Sequence, residues 1–334
     1  MFYNRIISGL KKYGSIWNYI HGFTRETVEL NGINHRNYHS FLDDRRYLKG
    51  HPYNGHFSGI IDNKMFLPYL LKDYPSFVPK YFFYISKGKV MSLGGGIDNG
   101  FDSFLNCLAN VKQLVLKPCD SSLGKGFCVV EKADMGEVKI NKRESSIKDL
   151  QQLLFTLNDY ICTEYIHQHE YSMKICPTCL NTIRFLCVRD DEKGEFYVAR
   201  CFHRFGVEGS LVDNLGNGNA YLFLVDVESG RLKANGAKNV KNEGEVYMDV
   251  LDYPNKLVHE GMLIPKYEET KNKILEISNT FPFLRYIGWD VAITAEGAKI
   301  IETNSLTSLG VLQREKGFLE DEKLRKFYVE DVGN

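Results

Sequence analysis

The chain has 334 residues, of which 43% are hydrophobic and 25% are charged, so it is long enough for about two ordinary folded domains. Its 42 basic and 42 acidic side chains give a formal net charge of zero, which argues against nucleic acid as the main partner. It contains no run of 18 apolar residues, polar residues interrupt the short apolar runs at the N-terminus, and eight cysteines accompany no export signal. We therefore expect a cytoplasmic protein with reduced thiols and no transmembrane helix.

The first predicted unit, residues 1–76, is mainly helical. In residues 1–30 large apolar side chains recur at steps of three and four, as on one face of an amphipathic helix. They are Phe2, Ile6, Leu10, Tyr13, Trp17 and Ile20. This face either packs on the protein's own core or, with Lys11 and Lys12 beside it, touches a membrane surface. Closely spaced prolines then mark a boundary after residue 76.

Two further units follow, and their mixture of strands and helices predicts an α+β fold. The second unit, residues 77–168, consists of strands joined by short turns together with one charged helix. Its strands are predicted at 80–85, 112–117, 126–131 and 160–166, and its helix at 146–157. The third unit, residues 169–334, is a second α+β block with a helix at 267–279.

A glycine-containing segment between two of these strands has the composition of a phosphate-binding loop. It runs Ser121-Ser122-Leu123-Gly124-Lys125-Gly126. Glycines let the backbone approach a phosphate closely, and exposed N–H groups together with Lys125 add a positive field. The residue order is neither that of a Walker A loop nor that of a dinucleotide fingerprint. The strand–loop–strand arrangement suggests a flap over phosphates, although the segment alone also suits a plain hairpin turn.

Several charged residues in or beside the predicted strands are candidates for nucleotide binding. Lys117 ends the strand before the loop and can neutralise phosphate oxygens, and Lys80 begins an earlier strand that approaches from a second side. Glu164 lies in an apolar run, where it costs free energy unless adenine or ribose groups donate hydrogen bonds to it. Arg184 at a strand start can fork onto a carboxylate or phosphoryl oxygen. Each is also compatible with a solvated charge or a structural salt bridge.

Residues 288–304 predict a β-hairpin with oxygen ligands at its open end. Apolar residues alternate on the first arm, residues 295–297 form the turn, and the second arm follows. Antiparallel pairing brings Asp290 near Glu302 and Asn304, and a spacing of two puts the last two side chains on one face. Two carboxylates and an amide oxygen are ligands that Mg²⁺ prefers, usually with nucleotide phosphates completing its shell. A surface hairpin with solvated acids is the alternative.

Two weaker signals lie in the third unit. Arg200, His203 and Arg204 form a polar cluster that suits contact with a substrate or with the γ-phosphate. Cys176 and Cys179 have the C-x-x-C spacing of a zinc site or a redox pair, but no second such pair follows and their surroundings are apolar. We expect these thiols to be buried and structural.

Taken in chain order, the motifs resemble those of the ATP-grasp superfamily, and the metal hairpin resembles that of D-alanine–D-alanine ligases. The likeness covers about residues 77–315. A closer likeness is to the sugar-transfer-associated ATP-grasp family. The segments that carry it are Leu116-Lys117-Pro118 with 122–126, Gln168-His169 with Asn181-Thr182-Ile183-Arg184, Val212-Asp213-Asn214, and Ile287-Gly288-Trp289-Asp290. The resemblance implies an ATP-grasp fold, in which two α+β lobes clamp ATP.

The resemblance also implies a role for each candidate residue. The nucleotide-binding residues are implied to be Lys80, Lys117, Ser121, Ser122, Gly124, Lys125, Gly126, Glu164, Tyr165 and Ile166. The metal ligands are implied to be Asp290, Glu302 and Asn304, with Glu302 bridging a pair of Mg²⁺ ions. The catalytic residues are implied to be Arg184 and Lys117, which stabilise the transferring phosphoryl group.

The chemistry implied by the resemblance is formation of an acyl phosphate from a carboxylate and ATP, followed by attack of an amine. We therefore predict an ATP- and Mg²⁺-dependent carboxylate–amine ligase with small-molecule substrates. By family association it modifies a surface-polysaccharide sugar or precursor, for example by joining an amino acid to a uronic acid. Two alternatives stay open, namely phosphoryl transfer to a sugar hydroxyl and a non-catalytic nucleotide-binding role in polysaccharide assembly. A homodimer is compatible with the superfamily.

Overall fold

The computed structural model describes residues 12–121, 124–133, 137–213, 218–240 and 244–331. The strands within these residues form two antiparallel sheets of seven strands each, and short helices cover them. This arrangement confirms the predicted α+β class.

The helices are short, and most have fewer than eight residues. They are α1 (Ile16–His21), α2 (Arg25–Asn31), α3 (Asp44–Gly50), α4 (Ser58–Asp62), α5 (Leu67–Leu70), α6 (Phe101–Val111), α7 (Ile147–Thr156), α8 (Glu170–Ile175), α9 (Tyr267–Asn279) and α10 (Glu322–Arg325). Single 3₁₀ turns lie at Tyr38–Ser40, Gly55–Phe57, Lys64–Phe66, Pro75–Phe77, Val250–Asp252, Val311–Gln313 and Phe318–Glu320, with a π-helical turn at Lys326–Asp331. None of the described helices has the length and apolar character needed to cross a bilayer.

The first sheet has the strand order β2-β1-β7-β3-β4-β5-β6. Its strands are β1 (Tyr81–Ser86), β2 (Lys89–Ser92), β3 (Gln113–Pro118), β4 (Cys128–Lys132), β5 (Val138–Ile140), β6 (Arg143–Ser145) and β7 (Tyr160–Glu164). Helices α6 and α7 pack on it through Phe104 and Leu150. The predicted helix at 146–157 is confirmed as α7, which begins where Ser146 and Asp149 bond each other's backbone N–H.

The second sheet has the strand order β12-β11-β10-β9-β8-β13-β14. Its strands are β8 (Ile183–Asp190), β9 (Glu195–Gly206), β10 (Ala220–Val225), β11 (Leu232–Val240), β12 (Gly244–Asp249), β13 (Tyr286–Ile293) and β14 (Ala298–Asn304). Alternate residues of β8 enter two different cores, because Phe185 packs on the side of α9 while Leu186 packs on the opposite side. The predicted helix at 267–279 is confirmed as α9.

The N-terminal region packs against both faces of the second sheet. Leu42 and Tyr47 join the core that contains Leu186, and Ile61 and Leu67 join the core on the side of α9. The region is therefore part of the second sheet's packing, which gives it a structural role that the sequence alone left open. The two sheets fall within the ranges predicted as lobes, and the division of the chain into three units stays a prediction.

The apolar face predicted for residues 1–30 is divided in the structure. Residues 1–11 lie outside the described residues. Helix α1 ends at Gly22, which adopts the left-handed conformation with a φ of 84°. Trp17 packs inward against Phe23 in a small separate core, whereas Ile20 is 65% exposed. Only part of the predicted face is therefore buried.

Candidate active site

A cleft between the two sheets collects most of the predicted site residues. Its lining includes Lys117, Ser121, Gly124, Lys125, Glu164, Tyr165 and Ile166 from the first sheet and its loops, and Thr182, Arg204, Asp213, Asp290 and Glu302 from the second sheet. The predicted residues that do not line it are Lys80, Gly126, Arg184 and Asn304. Ser122 lies outside the described residues.

The β-hairpin predicted for residues 288–304 is confirmed as the pair β13–β14. Asp290 lies directly opposite Glu302, with an irregularity in the register immediately after Asp290, and Asn304 follows two positions further along β14. The turn closes through a hydrogen bond of 2.7 Å from the Thr294 N–H to the Gly297 carbonyl. The hairpin therefore holds the three predicted ligands near its open end, with Asp290 and Glu302 lining the cleft.

Asp290 is almost completely buried and is bound by two arginines. Arg184 donates to both carboxylate oxygens, with a distance of 2.6 Å from its Nη2 to Oδ2, and Arg204 Nη2 lies 3.0 Å from the same oxygen. Burial alone would raise the pKa of Asp290, but the two guanidinium groups outweigh it and hold that pKa below its usual range. Asp290 is thus ionised at neutral pH, and its negative charge is already shared between two cations.

The oxygen donors at this end of the hairpin fit Mg²⁺. Glu302 and Asn304 are more available to a metal ion than Asp290 is. Glu302 faces the cleft with 27% of its side chain exposed, and the Asn304 Nδ2 is buried without a hydrogen-bond partner, which leaves this amide free to reorient. A metal ion on Asp290 would share that carboxylate with Arg184 and Arg204. Among the described residues no group of three His, Cys, Asp or Glu side chains suits a metal ion, and the amide of Asn304 is the third oxygen donor that the sequence predicts on this hairpin.

Lys64 lies in the cleft beside Glu302, although it belongs to none of the sequence motifs. Its Nζ is 3.2 Å from the Glu302 carboxylate and donates a hydrogen bond of 2.7 Å to the Ser121 carbonyl, so it joins the metal hairpin to the glycine loop. Its side chain is only 10% exposed. The sequence signal for Lys64 is weak, because Lys64 is only the last of three polar residues, 62–64, between two apolar runs.

Lys117 lies at the base of the cleft and is buried. Its Nζ donates to the Ile301 carbonyl at 3.3 Å, which places it against the strand that carries Glu302. Burial and, to a smaller extent, nearby Lys64 together lower the pKa of Lys117 to about 8, although Glu302 acts in the opposite direction. The ammonium group is therefore a weakly hydrated charge that loses its proton in the mildly alkaline range.

We expect the affinity for ATP to fall as the pH rises through about 8, because only charged Lys117 can neutralise a phosphate. The dissociation constant should increase by up to about tenfold between about pH 7 and about pH 9, as expected for one group with this pKa. The Lys117→Met variant should bind weakly at every pH and lose this dependence. Calorimetric titration checks both results, and Lys148→Met, at an exposed lysine of α7 outside the cleft, should keep the wild-type profile.

The glycine loop has the backbone conformations that its sequence predicts. Gly124 and Gly126 have φ values of 66° and 77°, in the left-handed region that favours glycine. A Cβ on Gly124 would come within 2.9 Å of Val212, and one on Gly126 within 2.4 Å of the Tyr160 hydroxyl. Both glycines are therefore needed for the loop to lie close over the cleft.

Glu164, Tyr165 and Ile166 form one wall of the cleft at the end of β7. The Glu164 carboxylate accepts a hydrogen bond of 3.0 Å from the Lys80 backbone N–H and lies 3.6 Å from Lys299 Nζ. Lys80 itself is exposed and contributes its backbone, so the structure does not bring its side chain together with the other predicted residues. Its predicted contact with the nucleotide is untested.

The two arginines near Asp290 differ in their access to the cleft. Arg184 lies behind the carboxylate, whereas Arg204 lines the cleft and contacts Thr182 Oγ1 at 2.6 Å and Asp213 at 3.5 Å. Burial raises the pKa of Asp213 to about 6, although Arg204 acts in the opposite direction. Arg204 is thus the arginine placed to touch a bound substrate, and the sequence had offered only a weak signal for it.

The eight cysteines are all free and buried, as expected for structural thiols. The Sγ atoms of Cys176 and Cys179 lie 3.7 Å apart, and both contact the backbone position Gly206 on β9. No cluster of metal-ligating side chains surrounds them among the described residues. The pair therefore packs the wall of the cleft next to Thr182.

We expect Gly206→Ala to destabilise the protein by about 1–3 kcal/mol, the usual cost of overpacking. The added Cβ would lie 2.0 Å from Cys179 Sγ and 3.3 Å from Cys176 Sγ, so both thiols would have to shift. Gly59→Ala is a suitable control, because this exposed helical glycine has no atom within 4 Å of the added Cβ. Urea unfolding monitored by circular dichroism measures both changes.

Two antiparallel sheets around a cleft with a glycine loop and an acidic hairpin are the arrangement of an ATP-grasp protein. Within this class, the sequence matches the sugar-transfer-associated ATP-grasp family over residues 44–325, and the chain belongs to that family. The match covers most of the chain, including Lys64 and every predicted site residue. No curated protein matches the chain.

Solved structures show only a distant likeness. The ATP-grasp ligase PsnB with its minimal precursor is 13% identical over 84% of this chain and 63% of its own, with a TM-score of 0.41. D-alanyl-alanine synthetase A from Vibrio cholerae is 13% identical over 82% and 66%, with a TM-score of 0.46. D-alanine–D-alanine ligase from Bacillus anthracis is 14% identical over 82% and 67%, with a TM-score of 0.39. The chain thus spans slightly less than two thirds of the first two proteins, and the family assignment rests on the sequence match.

Proposed function

We propose that the chain is a carboxylate–amine ligase that uses Mg-ATP and works through an acyl phosphate. The observation that carries the proposal is the convergence of Glu302, Lys64 and Lys117 in one cleft beneath the glycine loop. Two lysines beside a carboxylate that can hold a cation suit a triphosphate and its Mg²⁺ ions. Membership of an ATP-grasp family supports the same nucleotide.

The cleft residues divide into those that hold the base and those that hold the phosphates. Glu164, Tyr165 and Ile166 would bind adenine and ribose, since they form the wall at the end of β7. Lys117 and Lys64 would neutralise the phosphates from below, and the loop with Lys125 would cover them from above. Lys64 lies between the glycine loop and the hairpin and contacts both.

Glu302 and Asn304 would hold the Mg²⁺ ions, with Asp290 sharing its charge between metal and arginines. Bound Mg²⁺ would neutralise the charge of the phosphates and orient the γ-phosphate. Arg204 would contact the phosphoryl group directly because it lines the cleft. We assign Arg184 a positioning role, since it binds Asp290 from the buried side.

The proposed reaction has two steps. An oxygen of the substrate carboxylate forms a bond to the γ-phosphorus while the bond from that phosphorus to the bridging oxygen breaks, and ADP leaves. The amine nitrogen then attacks the acyl carbon, the bond from carbon to the phosphate oxygen breaks, and the amine loses a proton. Positive groups facing the developing charge, chiefly Lys117 and Arg204, supply the stabilisation, so no covalent protein intermediate is needed.

The substrate class that we propose is a sugar-linked carboxylate, such as a uronic acid of a surface polysaccharide or its precursor, joined to an amino acid. The family description associates these proteins with sugar transfer. The several cations of the cleft, Lys64, Lys117, Lys125 and Arg204, favour an anionic acceptor beside the nucleotide. The free thiols suit a reducing compartment with abundant ATP.

Release of ADP and phosphate from Mg-ATP tests the proposal directly. We expect release that requires both a uronic acid or nucleotide-sugar and an amino acid from a supplied panel. ADP formed with a hydroxyl-bearing sugar alone, without free phosphate, would instead identify a kinase. If a complete panel of carboxylates and amines gives no ADP although Mg-ATP binds, a non-catalytic nucleotide-binding role replaces the ligase.

A further inference from the structure

The N-terminal region carries a group of exposed apolar side chains. On α1, Ile16 is 69% and Ile20 is 65% exposed, and Tyr19 is about half exposed. Leu48 on α3 is also about half exposed. Single exposed apolar residues are ordinary, but a contiguous group marks a contact surface.

Contacts between α1 and α3 make these side chains one surface. The Arg45 backbone N–H donates to the Gly22 carbonyl at 3.2 Å, and the Arg45 guanidinium lies 5.3 Å from the ring centroid of Tyr19. Leu48 follows Arg45 by three positions and therefore lies on the same side of α3. We name Ile16, Tyr19, Ile20 and Leu48 the outer apolar surface.

The outer apolar surface is not needed to fill the core beneath it. On its inner side α1 packs through Trp17, which joins Phe23, Ile33 and Phe41 in a small closed core. On α3 the buried Tyr47, rather than the exposed Leu48, packs in the core of the second sheet. The inner faces of both helices are thus already covered, whereas the outer faces meet no partner within the described residues.

Positive charge surrounds the outer apolar surface. Lys12, Arg45, Arg46 and Lys49 are all exposed next to it. The first 50 residues contain eight Lys or Arg and four Asp or Glu, although the whole chain has a net charge of zero. The basic surplus is therefore concentrated in the region that carries the exposed apolar side chains.

The acids of the same region are used in local structure. Asp44 accepts hydrogen bonds from the Thr24 N–H at 2.7 Å and the Thr27 hydroxyl at 2.8 Å. Asp43 caps α3 by accepting from the Arg46 N–H at 2.9 Å. Asp43 also lies 3.8 Å from Arg46 Nε and offsets part of its charge, whereas Asp44 is directed toward the start of α2.

We propose that the outer apolar surface and its basic rim bind an anionic lipid bilayer. Aliphatic and tyrosine side chains inserted at headgroup level, with lysines and arginines facing lipid phosphates, form the usual contact of a peripheral membrane protein. A second copy of the chain fits less well, because symmetric pairing would bring two basic rims together. Binding would place the active site beside membrane-linked substrates without any spanning helix.

Co-sedimentation of the full chain with lipid vesicles tests the proposal. The wild type should bind vesicles that contain phosphatidylglycerol, bind phosphatidylcholine vesicles far less, and lose affinity as salt rises. Ile16→Ser/Ile20→Ser should lower the partition coefficient by about tenfold or more, because two inserted side chains are lost. Arg46→Glu/Lys49→Glu should have an effect at least as large on phosphatidylglycerol vesicles.

Matched control variants carry the same types of substitution at exposed positions outside the outer apolar surface and its basic rim. Phe155→Ser/Leu251→Ser removes apolar side chains that are 72% and 75% exposed elsewhere, and Lys89→Glu/Lys148→Glu reverses two other exposed lysines. Both should bind as the wild type does, and all variants should keep wild-type circular dichroism and unfolding midpoints. Failure of the wild type to bind anionic vesicles would overturn the proposal. Equal binding by Ile16→Ser/Ile20→Ser, or a wild-type dimer that this variant dissociates, would do the same.

Discussion

Replacing Glu302 with Gln is expected to reduce ATP-dependent turnover by about a thousandfold or more, in line with losses seen when one electrostatic contributor to a transition state is removed. The change keeps the size of the side chain but removes the carboxylate that faces the cleft and pairs with Lys64. It would leave Lys64 and Lys117 without this neighbouring negative charge and weaken the proposed metal site. ADP release with the active substrate pair is the measurement.

Glu315→Gln is a close control for that experiment. Glu315 has a side-chain exposure of 26%, nearly that of Glu302, and is also paired with a lysine, Lys233, but it does not line the cleft. Turnover and unfolding of this variant should match the wild type. If Glu302→Gln keeps normal turnover with an unchanged Mg²⁺ requirement, the assignment of the metal ligands is wrong.

The second large effect is expected on stability, because Asp290→Asn removes the carboxylate charge that the buried guanidinium groups of Arg184 and Arg204 share. We expect the free energy of unfolding to fall by about 3–5 kcal/mol, the usual cost of leaving a buried ion pair with one partner. Asp191→Asn breaks an exposed pair with Arg285 and should change stability much less. Guanidinium unfolding at neutral pH measures both.

The pH dependence of this loss has a definite sign. The pKa of Asp290 is lowered in the folded state, so its contribution is fully present above the ordinary Asp value of about 3.9 and is lost as the pH falls below it. The difference between the wild type and Asp290→Asn should therefore be constant between about pH 7 and about pH 8, above the pKa of about 6 of Asp213, which also contacts Arg204, and it should shrink in strong acid. A difference that changes between about pH 7 and about pH 8 would show that another group is responsible.

Local pattern was enough to predict the hairpin and the glycine loop. The alternation of apolar residues around a tight turn determined the pairing of Asp290 with Glu302, and two left-handed glycines gave the loop its shape. These features depend on residues close in sequence, so their geometry follows from strand period and turn chemistry.

The site residues that the sequence missed or indicated only weakly depend on packing between distant segments. Lys64 precedes Glu302 by 238 positions in the sequence. The two residues meet because the N-terminal region packs on the second sheet, and no local sequence motif predicts that contact. Arg204 enters the cleft because β9 lies beside β8, which lies beside β13. The same packing puts Arg184 behind Asp290, where the sequence had predicted a residue in contact with substrate. Tertiary contacts of this kind leave no periodic signal in the chain.

The most direct test of the central claim follows the oxygen atoms of the carboxylate. A substrate carboxylate labelled with a heavy oxygen isotope is incubated with Mg-ATP, the amine and the protein, and the released phosphate is analysed by mass spectrometry. An acyl phosphate predicts that one labelled oxygen is transferred to phosphate for each amide formed, because the attacking oxygen leaves with the phosphoryl group. Unlabelled phosphate accompanied by amide formation would contradict the account.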